Sequence, residues 1–282
     1  MKFIITGSAG CVSTPRALCK CNVCKQAREK GHPYARSGCS LFLEDISLLI
    51  DTPEDINNAL NNSQIEKIDY IFYSHLDPDH TLGMRVIEQL RLDWLAVSIN
   101  KRCNNPLLIM ALPNVLEDIN AIRTKYGSIL DYYESMNLIK RESINEEILI
   151  GDIKISFIPV NKDGNVTVFV FEKNGKKLIY APCDVKPFPV NKLFEDADYL
   201  IIGNTIVGTI LKDGFKLEHD NPLNNELFSL DEVINIEQEY GIKNVIITHL
   251  EEDWGKTYDD YLDLEKDYEN VSFAYDGMTI EL

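Results

Sequence analysis

Short apolar runs alternate with amphipathic stretches along nearly the whole chain. Ile68-Asp69-Tyr70-Ile71-Phe72-Tyr73-Ser74 is short, β-branched and aromatic, and reads as a buried strand. A helix through Met84–Leu90 should follow it, and a second helical stretch lies near 114–126. Ile153–Val160, Thr167–Glu172 and Lys177–Ala181 read as a three-strand meander, with Asn174-Gly175 as a hairpin turn. A strand at 198–203, a helix at 229–240, a strand at 243–248 and a helix near 257–268 continue the alternation. Thr52 is expected to cap a helix with Pro53 at its first position and Asp55 three residues beyond the cap. Residues 1–56 otherwise read as strands and turns, interrupted by a Cys-rich insertion. No linker or low-complexity tract divides the chain, so residues 1–282 are expected to form one α/β domain, a sandwich with helices outside. Tyr73–Asp79 and Ile247–Asp253 share an apolar strand end, a hydroxyl, His, Leu and acidic residues, as two related halves would, each delivering a His.

Length and composition narrow the class. A chain of 282 residues suits one large domain and is short for two enzymatic ones. Its 45% hydrophobic and 26% charged residues are ordinary for a globular protein. No apolar stretch approaches the roughly 20 residues that span a bilayer, and the N-terminus is too short and polar for a signal peptide. Seven cysteines, several of them clustered, suit a reducing cytoplasm and metal ligation. The net charge of −17 repels nucleic-acid backbones and anionic membranes. A small anionic substrate remains compatible with it, because bound metals dominate their local field. A homodimer is open.

The densest chemistry lies in His75-Leu76-Asp77-Pro78-Asp79-His80, directly after the first strand described above. Imidazole nitrogen and carboxylate oxygen bind Zn²⁺, Mn²⁺ or Fe²⁺, and ligands at a strand end sit on a rigid edge. The alternative is a polar loop in which Asp79 or Thr81 caps the next helix. Cys19, Cys21 and Cys24 place three thiolates within six residues, a spacing that lets one turn wrap a tetrahedral structural Zn²⁺. Lys20, Lys25 and Arg28 would offset their charge. Cys11, beside Gly10 in the first turn, could approach the catalytic pocket instead.

The 75–80 stretch resembles the His-x-His-x-Asp-His signature of the metallo-β-lactamase superfamily, with Asp77 where the second His usually stands. Leu48–Thr52 resembles the strand ending in a buried Asp, Ile179–Asp184 the segment with the metal-bridging Asp, and Val245–His249 the strand delivering the last His. The Cys19-x-Cys21-x-x-Cys24 spacing and Tyr275-Asp276-Gly277-Met278 are similar to the PhnP-like cyclic phosphodiesterase branch. The resemblance implies an αββα sandwich with a small zinc-binding insertion at about residues 11–39. It implies a site in which His75 and Asp77 hold one metal, Asp79, His80 and His249 hold a second, and Asp184 bridges. Asp51 would orient a ligand from behind or, alternatively, cap a helix. The fourth ligand of the cysteine site would be Glu252, where the branch has a His, or else Cys39 or His32.

Two departures from that pattern matter. Asp77 is a harder donor than imidazole and moves preference from Zn²⁺ toward Mn²⁺ or Fe²⁺. The His usually found after the 153–160 strand is missing; Asn161-Lys162-Asp163 stands there, and Lys162 would contact an anionic substrate group or remain a solvated turn residue. The resemblance implies a cytoplasmic metal-dependent hydrolase. It is expected to be a phosphodiesterase on a small anionic ester, open-chain or cyclic, with a metal-activated hydroxide as nucleophile and Asp79 and Lys162 in the catalytic machinery. The rival readings are an iron-centred redox protein resembling flavo-diiron enzymes and a catalytically inactive metal-binding scaffold.

Overall fold

Strand alternation sorts the apolar side chains onto two faces, and the two faces build two layers of core. The computed structural model describes all of residues 1–282. Its strands are β1 (Lys2–Gly7), β2 (Ser40–Leu43), β3 (Leu48–Ile50), β4 (Tyr70–Phe72), β5 (Leu107–Ala111), β6 (Ile139–Ser143) and β7 (Glu147–Ile150). They continue with β8 (Ile153–Pro159), β9 (Thr167–Lys173), β10 (Lys176–Ala181), β11 (Tyr199–Ile202), β12 (Val245–Ile247), β13 (Val271–Phe273) and β14 (Thr279–Glu281). Apart from two small ribbons, they form two seven-stranded sheets, ordered β14-β1-β2-β3-β4-β5-β6 and β13-β12-β11-β10-β9-β8-β7.

In β10, Leu178 and Tyr180 join the larger core cluster, whereas Ile179 and Ala181 join a second cluster with helix residues Val233, Ile236 and Tyr261. Period-two alternation therefore puts one face of this sheet against its partner sheet and the other under helices. Between the sheets, Phe72 meets Phe157 at 5.1 Å and Phe3 meets Phe171 at 5.2 Å between ring centroids. Such pairs contribute about 0.5–1.5 kcal/mol each beyond their buried area.

The helices include α1 (Asn22–Lys30), α2 (Ile56–Asn62), α3 (Pro78–Thr81), α4 (Val86–Arg91), α5 (Pro113–Asn120), α6 (Ile129–Ser135), α7 (Leu230–Tyr240) and α8 (Tyr258–Leu264). Ser229 with Glu232 and Thr257 with Asp260 form capping boxes that start α7 and α8. At Asn174-Gly175 both residues have positive φ, as a tight hairpin turn requires.

Local expectations fail at two places. Thr52 does not cap α2, which begins at Ile56 after Asp55. The Thr52 hydroxyl instead bonds Tyr73 Oη at 3.0 Å and its N–H donates to the His80 carbonyl at 2.7 Å, so tertiary partners have claimed both groups. The internal echo is also displaced. Starting from β14 and from β7, each sheet shows three antiparallel pairs and then three parallel ones. In that pattern β4 matches β11, not β12, so His75 and His249 leave non-equivalent strands. The equivalent pair is β3 and β10, whose following segments carry Asp51 and Asp184, both in the left-handed region with φ 65° and 52°. All four strands feeding the site, β3, β4, β10 and β12, belong to the parallel parts of the sheets, and their C-terminal ends deliver the side chains described next.

Candidate metal centre

Asp51, first residue after β3, is fully buried and organises its surroundings. It accepts from Ser74 N at 2.8 Å, from the Ser74 hydroxyl at 2.6 Å and from His80 Nδ1 at 2.8 Å. The Ser74 oxygen in turn lies 2.8 Å from His75 Nδ1. Because the Ser74 proton goes to Asp51, its oxygen accepts the Nδ1 proton of His75. Both imidazoles are thereby held with Nε2 facing inward, the arrangement that orients metal-ligating histidines. Those two Nε2 atoms are buried and have no hydrogen-bond partner. A buried nitrogen without a partner is costly, so a cation that accepts its lone pair would relieve the penalty. Asp51→Ala is expected to weaken divalent-metal affinity roughly 10–100-fold in a chelator competition; unchanged affinity would leave Asp51 a role in folding only.

Carboxylates and a third imidazole face these nitrogens. Asp79 Oδ2 lies 3.4 Å from His80 Nε2 and 3.2 Å from His249 Nε2, and Asp77 Oδ2 lies 3.9 Å from His75 Nε2. The imidazole rings of His75, His80 and His249 line up, with centroids 4.2 and 5.5 Å apart. Burial drives the His75 imidazole well below its ordinary pKa, and neighbouring His80 adds to that, keeping it neutral. Burial would raise the Asp79 carboxyl, but the His249 hydrogen bond and the His80 charge outweigh it and hold Asp79 well below the usual carboxylate range. Asp77 moves the other way, raised by burial and by Asp184 and Asp79.

Donor atoms within 4.8 Å of one another form three sets here: His75 with Asp77 and Asp184, His75 with His80 and Cys183, and Asp79 with His249 and Cys11. All six residues expected to ligate metal thus meet around one cleft. His80, expected beside Asp79 and His249 on a second metal, also shares a set with His75. Cys11 reaches the pocket, its N–H anchored on Glu251 Oε1 at 2.8 Å. Cys183 joins the cleft without a role assigned by the sequence alone. Lys162 lies exposed in the turn after β8, and neither it nor Asp163 joins any of these sets. Two supporting residues also escape sequence reasoning. Asn204 accepts from Asp184 N at 2.9 Å, and Glu251 Oε1 lies 3.6 Å from His249 Nδ1.

Gly203 closes the cleft from behind. A Cβ there would overlap the Pro182 carbonyl oxygen and crowd His249 Cβ, so no larger residue fits. Gly203→Ala is expected to cost about 1–3 kcal/mol in urea unfolding and to lower metal content, because it pushes apart the segments that carry Asp184 and His249. Full metal content at unchanged stability would contradict this packing account.

The three thiols form a separate cluster. Cys21 starts α1, and Glu252 Oε1 accepts from Cys19, Cys21 and Cys24 Sγ at 3.1, 2.9 and 3.4 Å. All four donor atoms lie within 4.8 Å of one another. Of the three candidates for a fourth ligand, Glu252 is the one that stands beside the thiols. Cys39 is buried elsewhere, with Sγ 3.6 Å from Tyr180 Oη, and His32 faces Asp276 at 3.6 Å. Burial would raise Glu252, but the hydrogen bonds from Cys21, Lys212, Cys19 and Cys24 outweigh it and bring the carboxyl down to about 2.

The beta-lactamase superfamily domain matches residues 47–250, a span running from β3 to just past His249. No curated protein sequence matches the chain. Among solved structures, a diphosphatase from the PhnP family aligns with all of this chain and 97% of its own at 18% identity and a TM-score of 0.72. Zn²⁺-bound PqqB from Methylobacterium extorquens aligns over 100% of both chains at 19% identity and a TM-score of 0.66. The short form of human tRNase Z aligns with all of this chain and 99% of its own at 15% identity and a TM-score of 0.63. At these identities the likeness concerns the fold. With a superfamily match over most of the chain and two facing sheets whose strand ends converge on one cluster of imidazoles and carboxylates, the chain belongs to the metallo-β-lactamase superfamily and has its αββα fold.

Proposed function

We propose that the protein is a metal-dependent phosphodiesterase acting on a small anionic phosphoester, open-chain or cyclic. The observation that carries this reading is the pair of buried, partnerless Nε2 atoms of His75 and His80, both aimed at a group of carboxylates. His75, His80, Asp77, Asp79, Asp184 and His249 would hold one or two divalent metals. Such metals polarise a phosphoryl oxygen and lower the pKa of bound water.

The chain's own residues do the rest. Asp51 and Ser74 fix the imidazole tautomers, and Asp79, kept ionised by its imidazole neighbours, supplies negative charge at the base of the cleft. Exposed Asp77 and Asp184 stand at the mouth, where they disfavour an anionic substrate unless metal neutralises them. The structural relatives named a diphosphatase and a tRNase Z support chemistry at phosphorus. The net charge of −17 favours a small substrate over a polynucleotide. No helix is long and apolar enough to cross a membrane.

The test uses bis(p-nitrophenyl) phosphate, a five-membered cyclic phosphodiester and p-nitrophenyl phosphate, with protein freed of metal and reloaded. Both diesters should be cleaved faster than the monoester, and only after metal is restored. Cleavage of neither diester with Zn²⁺, Mn²⁺ or Fe²⁺ would overturn the proposal.

A further inference from the structure

We infer that Cys183 is a metal ligand, its thiolate binding the same ion as His75 Nε2 and His80 Nε2. The inference rests on the metal-dependent reading above and adds to it a donor of a different chemical kind. Three observations carry it. First, the two Nε2 atoms are buried and make no hydrogen bond, in residues 2% and 0% exposed, and they face carboxylate oxygens of Asp79 at 3.4 Å from His80 and of Asp77 at 3.9 Å from His75, so two corners of a coordination sphere stand preset. Second, Cys183 Sγ lies within 4.8 Å of a ring nitrogen of each of these imidazoles, and its residue is only 6% exposed. Its one polar contact is a long one, 4.0 Å to Asp184 Oδ1, so no other partner claims the sulfur. Third, the turn after β8 stays exposed at 161–163 and supplies no imidazole to this ion.

The backbone explains how the sulfur arrives there. Pro182-Cys183-Asp184 leaves the end of β10, and Gly203 N donates to the Ala181 carbonyl at 2.9 Å beneath it. Asp184 then takes a positive φ and its N–H is held by Asn204, so consecutive side chains serve different places: Cys183 the buried nitrogens, Asp184 the exposed mouth beside Asp77. On binding, the thiol gives up its proton to solvent and the thiolate forms the bond to the ion. A soft thiolate here works against the hard Asp77 and draws preference back toward Zn²⁺ and away from Mn²⁺.

Protein freed of metal and refilled with the NMR-active isotope of cadmium tests this directly, because proton–cadmium correlations identify the ligands of each ion. The parent should show one ion coupled to the β-protons of Cys19, Cys21 and Cys24, and another coupled to the β-protons of Cys183 and the ring protons of His75 and His80. In Cys183→Ser the second resonance should move upfield and its affinity should fall by more than the roughly 10–100-fold that losing an outer partner costs, while the first stays in place. An ion coupled to the imidazoles but not to Cys183 in the parent would overturn the assignment and leave the phosphodiesterase reading standing. The absence of any ion coupled to the imidazoles would overturn both. The parent measurement decides the question even if the variant does not fold.

Discussion

Asp79→Ala should abolish hydrolysis of bis(p-nitrophenyl) phosphate while leaving the fold intact. Asp79 sits on α3, a single turn between the end of β4 and the rest of the first sheet's helical cover, and its oxygen faces His80 and His249. Truncation removes a carboxylate held ionised at the base of the cleft, and with it a proposed donor for metal. The loss should exceed the roughly 10–100-fold seen when only an outer partner of a ligand is removed. Stability should change little, because this carboxylate adds no apolar packing to either core cluster. Circular dichroism and urea unfolding would establish the intact fold. Activity within a factor of two of the parent would take Asp79 out of the catalytic site.

The thiol cluster should affect stability in the way Asp79 affects turnover. Cys21→Ser removes one of three thiols that meet on Glu252 and the residue at the start of α1. Metal binding at sites of this kind contributes directly to folding, on the order of 10 kcal/mol in small zinc peptides and less in a domain with its own core. The variant is expected to melt several degrees lower and to lose one zinc, with turnover per folded molecule nearly unchanged where both proteins are folded. Glu252→Ala should do the same, because Glu252 joins the cluster to the segment after His249. Lost turnover with zinc and stability intact would show instead that these cysteines belong to the active site.

Much of the candidate site was legible because its residues follow closely on the end of an apolar strand and belong to types with few other uses there. His75–His80, Asp51, Asp184 and His249 all follow this rule. What was not legible depends on which strands become neighbours. Ser74 reads as an ordinary strand-end hydroxyl until Asp51 arrives from the adjacent strand to take its proton. Cys183 reads as one more buried thiol until the second sheet brings it beside His75 and His80 from the first; the Pro-Cys-Asp run after β10 was the available signal. Thr52 carried good capping chemistry, but Tyr73 and the His80 carbonyl occupied it. The displaced echo has a similar origin: local similarity around His75 and His249 does not report which strand of each sheet the residue leaves.

The central claim is that the cleft at the strand ends is a metal centre distinct from the cysteine cluster. Metal analysis of protein purified without chelator and without a nickel affinity step tests it most directly. The account predicts two or three divalent metals per chain, one or two in the cleft and one in the cluster. The combined His75→Ala and His249→Ala variant should retain about one, and it should be zinc. A parent carrying a single metal, lost completely in Cys21→Ser and unaffected by the histidine changes, would contradict the account.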